Sequence, residues 1–188
     1  MNLKVKITRD FIDPIKCYLE DALVAERDAV KSDYYQRNHV RVVFSVIEGT
    51  IHILKQTCLT AAIHAKKLTP GDYALLQELS FDLSPKGEVV ENPKFIRLDT
   101  NFKYCVKSLN KVFLLNYHID TNGADWNHFK KAISIRNRLT HPKGVQDMVI
   151  TSADAEILVK VSGWFCDFTH QAVTGILAKI QPSQVMDG

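Results

Sequence analysis

The stretch 34–68 sets the strongest limit on what this chain can fold into. It holds no proline and a single glycine, Gly49, and it is broken only at Thr69-Pro70-Gly71-Asp72. On a helical wheel Val42, Val43, Phe44, Val46, Ile47, Ile51, Ile53, Leu54, Cys58 and Ala61 cover more than half a turn, so a helix here must be central and packed on several neighbours. Glu48, its only acid, falls just beyond the apolar edge. Gly49 costs about 1 kcal/mol relative to alanine in a helix interior, which is offset where another helix passes close.

The remaining segments repeat the helical pattern. A polar lead-in over 1–8 precedes a helix at about 10–31, with Asp13-Pro14 marking an onset near 14 and Ile15, Leu19, Ala22, Leu23, Glu26 and Val30 as its inner stripe. A short helix is expected over 73–81, a further one over about 100–117 capped by Asp99-Thr100, and one over 126–141 with Asp125 as N-cap and Pro142 as its stop. Thr151-Ser152 caps a last helix that runs to about 180 and leaves 181–188 as a tail. Between them, 88–98 reads as two short extended runs about Asn92-Pro93. The expected fold is therefore all-α: an antiparallel bundle of about five to six helices in a single domain, 1–188, with a small β-hairpin inserted at about 86–98.

Hydrophobic residues make up 46% of the 188, enough for a real core. No stretch approaches ~18 uninterrupted apolar residues and the first residues lack a signal-peptide core, so a cytoplasmic protein with no membrane partner is expected. Cys17, Cys58, Cys105 and Cys166 are scattered in apolar surroundings without a C-x-x-C pair and read as buried free thiols. There is no glycine-rich phosphate loop and no metal-ligand spacing, so neither metal nor cofactor is expected. Charge is uneven beneath the net +3. Arg37, Arg41, Lys55, Lys66 and Lys67 face Glu48 alone in 34–68, and Lys130, Lys131, Arg136, Arg138 and Lys143 stand in 126–146 without an acid. Solvated helix faces and contact with a polyanion both fit that pattern.

With Trp126 at zero, Phe129, Ala132, Ile133, Ile135 and Leu139 fill the arc from about 180° to 360°. Arg136, at about 280°, lies inside it and needs a specific acceptor, for which Glu48 is the candidate, or must line a polar pocket. Arg138, at about 120°, is expected to face water with Lys131 and Ser134. Asn137 and His141 are spaced i, i+4 at the margin of the same face, and Thr140 lies on the packing side. A guanidinium, an amide and an imidazole at one helix end suit phosphate binding combined with acid/base chemistry. His39, His52, His64, His118, His128 and His170 read as surface or core residues.

Arg136-Asn137-Arg138-Leu139-Thr140-His141 matches the Arg-Asn-x-x-x-His motif, and the segment 122–145 resembles the HEPN domains, a helical family found in RNases of prokaryotic toxin and phage-defence systems. The resemblance implies a metal-independent endoribonuclease with Arg136, Asn137 and His141 as catalytic residues; Glu48, from its place on the wheel, and Thr140 are expected in support, and the basic residues Arg138, Lys143, Lys130 and Arg41 on the RNA. It also implies a homodimer whose two motif helices border one composite cleft, and a nucleotidyltransferase-type antitoxin as partner. A non-catalytic module of the same fold that binds nucleotide, RNA or protein is the alternative, and a plain scaffold in which Arg136 merely pairs with Glu48 is the third. One feature departs from the motif: His141 directly precedes a proline, which biases it away from helical dihedrals.

Overall fold

A computed structural model describes residues 3–65 and 68–180, the side chains of 63–65 apart. The chain is mostly helical, with one two-stranded antiparallel hairpin. Its elements are α1 (Leu3–Ile7), a π-helical turn (Thr8–Ile12), α2 (Asp13–Asp28), α3 (Asp33–Ala65), α4 (Pro70–Leu76), β1 (Leu79–Leu83), β2 (Val89–Pro93), α5 (Leu98–Phe113), α6 (Ala124–Thr140), a 3-10 turn (Val145–Met148) and α7 (Ser152–Ile180). They group into two compact units, one of 1–12, 51–117 and 172–188, the other of 13–50 and 118–171. Lys66, Lys67 and the expected tail over 181–188 lie outside the described residues.

The first unit is built on the second half of α3. Ile51, Leu54 and Cys58 are buried there, as are Phe102, Cys105, Leu109 and Val112 of α5. Thr69 closes a capping box with Asp72 at the start of α4, in which each side chain bonds the other's main-chain N–H. Lys111 reaches the same Asp72 carboxylate at 2.6 Å, and this ion pair with the Thr69 bonds pulls the Asp72 pKa down to about 2. Lys55 has no exposed side-chain surface, and its Nζ donates to Glu78 Oε1 at 2.7 Å and to Asn101 Oδ1 at 3.0 Å. Burial pushes the Glu78 carboxyl up, but the bonds from Lys55 and Asn101 outweigh it and leave it below the ordinary range. Glu78 takes a left-handed backbone, φ 58°, where α4 gives way to β1.

The second unit holds α2, the first half of α3, α6 and most of α7. Phe44 and Ile47 are buried with Phe129, Ile135, Leu158 and Phe165. Trp126, Phe129 and Trp164 stack with ring centroids 5.3 to 6.5 Å apart, joining α6 to α7. The Tyr18 ring of α2 lies where a Cβ on Gly49 would sit, 2.6 Å away, which explains a glycine in the middle of the longest helix.

Several expected boundaries are corrected. Residues 3–7 are helical rather than a lead-in, and Leu23 and Val30, placed on the inner stripe of α2, are 68% and 88% exposed. The helix expected over 73–81 spans Pro70–Leu76, because the Thr69 box starts it early and left-handed Glu78 turns the chain into β1. The hairpin lies over 79–93 rather than 86–98. Its turn is Ser84-Pro85-Lys86-Gly87, where Ser84 Oγ accepts from the N–H of Lys86 and Glu88 and Gly87 supplies φ 76°. Asn92-Pro93, taken as the turn, ends β2. Helix α5 starts at Leu98 with Arg97 as N-cap and closes at Leu114 in the left-handed region. Cys58 and Cys105 are buried, but Cys17 and Cys166 are exposed. The stretch Asp33–Ala62 is long and apolar enough to cross a membrane by length and composition alone, and 61% of its most apolar window is buried inside the fold.

Candidate functional site

Helix α6 begins two residues before the expected place, with Gly123 as N-cap and Asp125 in the first turn, where a carboxylate complements the helix dipole. Trp126, Phe129, Ala132, Ile135 and Leu139 are buried and Ile133 is half-buried. Arg136 sits on that same face but in the last turn, where the face opens. Its side chain is 37% exposed, and Nη2 donates to Glu48 Oε1 at 2.9 Å. Nη1 reaches Asn137 Oδ1 at 3.3 Å, and the guanidinium carbon lies 6.0 Å from the Phe44 ring centroid. The carboxylate that α3 carries just outside its apolar arc thus holds the arginine that α6 carries just inside its own.

His141 is the C-cap of α6, with φ −129° and ψ 61°, while its N–H still bonds the Asn137 carbonyl at 3.0 Å. Pro142 cannot continue the helix, and the cap conformation takes the imidazole off the i, i+4 line with the Asn137 amide. The ring is exposed and, among the described residues, hydrogen-bonds neither Asn137 nor Arg136. Thr140 Oγ1 donates back to the Arg136 carbonyl at 2.9 Å, so this side chain ties down the last turn instead of facing a ligand. Arg136, Asn137 and Glu48 are therefore joined by hydrogen bonds, whereas His141 stands beside them at the helix end.

Arg138 overturns the expectation that it faces water. Its Nη2 donates to the Val149 carbonyl at 2.6 Å and to Asp154 Oδ2 at 2.7 Å, and it is less exposed than Arg136, at 26%. Asp154 already caps α7 by bonding the N–H and hydroxyl of Thr151, so one carboxylate starts a helix and anchors the arginine. The sequence shows a cap at Thr151-Ser152 but not the bond from Arg138 to Asp154. Arg138 and Asp154 also line a cleft of about 570 Å³ with Lys131, Ser134, Ile135, Gln146, Val149, Thr151 and Ile157. Neither Arg136 nor His141 lines it.

Of the other expected RNA contacts, Arg41, Lys130 and Lys143 are exposed and form no ion pair among the described residues. Lys55 leaves the basic set, since it is wholly buried and paired. His39, a surface or core residue by sequence, is a core one, 4% exposed with Nε2 unpartnered, and burial pushes its pKa down against the pull of the Glu26 charge. Among the described residues no three of His, Cys, Asp and Glu gather as metal ligands would.

No protein-family model, curated protein or solved structure matches this chain.

Proposed function

We propose that this protein is a HEPN-like, metal-independent endoribonuclease, a cytoplasmic toxin or phage-defence effector. The observation that carries the reading is the end of α6: a guanidinium oriented by Glu48 yet 37% open, with an exposed imidazole five residues on. Arginine presents a planar pair of donors that fits two phosphate oxygens, and histidine exchanges protons near neutral pH.

In the reaction, His141 takes the proton of the RNA 2′-hydroxyl, the 2′-oxygen forms a bond to phosphorus and the bond to the 5′-oxygen breaks. Arg136 compensates the charge that builds on the phosphoryl oxygens, and Asn137 orients the phosphate. The departing 5′-oxygen must receive a proton, which a single histidine cannot supply in the same step. A homodimer with two facing α6 ends provides the second imidazole. The products are a 2′,3′-cyclic phosphate and a 5′-hydroxyl, and DNA is left intact. Arg41, Lys130 and Lys143 supply sequence-independent contact to the RNA backbone. A nucleotidyltransferase-type antitoxin is the partner such a toxin calls for.

The ion pair also favours a second reading. Glu48 neutralises Arg136 and competes with an incoming phosphate, as expected of a non-catalytic module that binds RNA, nucleotide or protein. Labelled RNA incubated with the protein in EDTA separates the two. The ribonuclease yields cyclic-phosphate ends, and folded Arg136→Ala and His141→Ala variants yield none. Salt-sensitive RNA binding without any cleavage supports the module, and absence of both leaves only the scaffold.

A further inference from the structure

β1 and β2 are each other's only strand neighbour among the described residues, so each has an open outer edge. Two bonds set the phase of the ladder, from Lys94 N–H to the Glu78 carbonyl and from Ser84 N–H to the Glu88 carbonyl. Residues at even positions of β1 therefore bond β2, while the N–H and C=O of Leu79, Phe81 and Leu83 point away from it. On β2 the outer edge belongs to Val89, Glu91 and Pro93. A charge and a missing N–H are what blunt a strand edge against pairing. The β1 edge has neither. On the face shared with Leu79, Phe81 is 53% exposed, Leu83 74% and Val89 72%. A lone two-stranded hairpin is marginal in water, and further strands stabilise it.

We propose that β1 is a dimerisation edge that receives β1 of a second copy of this chain, antiparallel, about a two-fold axis at Phe81. The selection of its own copy comes from the order Leu79-Ser80-Phe81-Asp82-Leu83, whose apolar pattern is the same in both directions. Centred on Phe81, the pairing sets each Leu79 against Leu83 of the other copy and the two Phe81 rings against each other. Every outward N–H and C=O of Leu79, Phe81 and Leu83 gains a partner, and Ser80 falls opposite Asp82, so hydroxyl meets carboxylate and the two acids are kept apart. An isologous contact demands that kind of self-complementarity. The four strands join into one sheet, β2-β1-β1-β2, whose two central strands carry an apolar face flanked on each outer strand by Val89, Glu91 and Pro93. The contact uses β1 and not α6, and it stands whether or not the chain cleaves RNA.

The test is the mass of the native assembly by light scattering at tens of micromolar, for the native chain, Phe81→Lys and Phe81→Pro. The outward N–H of Phe81 takes no part in the hairpin's own ladder, so proline there removes an edge donor and leaves β1–β2 paired. Lysine keeps the backbone and sets two charges against each other on the axis, and so reads the contact even if the proline variant unfolds. Both variants are expected to halve the assembly mass with an unchanged far-ultraviolet circular dichroism spectrum. A native chain that is monomeric overturns the proposal, whether or not another protein occupies the edge. So does an assembly whose mass neither variant changes, since it would then be held by another surface.

Discussion

Two cation–carboxylate pairs lie about two turns apart on α3 and follow opposite designs. Lys55 is wholly enclosed, shared between Glu78 and Asn101, and locked to a left-handed backbone at Glu78. Arg136 and Glu48 are 37% and 43% exposed, and the arginine has spare donors. An ammonium with no exposed surface, already held by Glu78 and Asn101, presents no open side to a ligand. A half-open pair is oriented without being consumed. The chemistry of the two pairs is nearly the same, and exposure decides which of them can serve as a site.

The comparison breaks most visibly at Glu78. Glu78→Ala leaves an ammonium buried with a single amide oxygen, and the expected loss is about 3–5 kcal/mol in a urea titration. Lys55→Met should cost only about 1 kcal/mol, since the Glu78 carboxylate is 41% exposed and finds water. Equal losses from the two variants would show that burial of the ammonium is not what makes this pair structural.

Arg138 tests the same distinction within one helix. Arg138→Ala removes two charge-assisted bonds and leaves the Asp154 carboxylate facing a cleft, for an expected loss of about 1.5–3 kcal/mol. Arg136→Ala is expected to cost at most about 1 kcal/mol, as exposed pairs do, while abolishing RNA cleavage. If Arg136→Ala instead unfolds the chain and Arg138→Ala is silent, the roles assigned to the two arginines are exchanged.

The sequence carried the Arg136–Glu48 pair because Arg136 interrupts an apolar arc and Glu48 borders one, each on a long, regular helix where angle alone fixes direction. It misplaced Arg138 for the complementary reason. A wheel gives the direction of a Cβ, and a long arginine at the end of a helix can fold back to a carboxylate contributed by α7, which the wheel does not contain. Leu79-Ser80-Phe81-Asp82-Leu83 alternates in the manner of a strand, yet a helical reading of 73–81 absorbs its first three residues, and proline, the louder signal, draws the turn to Asn92-Pro93. Ser84 and Gly87 make the turn through side-chain and left-handed geometry, while Pro93 ends an edge strand that needs no N–H there. The buried Lys55 left no trace at all, since its partners Glu78 and Asn101 are distant in sequence.

His39 supplies a third case between the two pairs, a titratable ring that is buried with no partner on Nε2. Burial holds its pKa below the ordinary value near 6.5, with Glu26 pulling weakly the other way. Above that value the ring is neutral in folded and unfolded chains alike and stability does not depend on it. As pH falls below it, the unfolded chain takes up a proton that the folded chain refuses, so stability drops by up to about 1.4 kcal/mol per pH unit until the folded ring also titrates. Asp72 does not contribute in that window, because its stabilisation begins to be lost only as pH falls into the ordinary carboxylate range and goes on being lost down to its folded pKa of about 2. Urea titrations at pH 7.5 and 5.5 should therefore show a drop for the native chain and a smaller one for His39→Leu, which keeps the volume and cannot be protonated. An equal drop in both chains would move the acid sensitivity away from this ring and leave exposure and pairing, not solitary burial, as the only variables that separate the charged groups of α3.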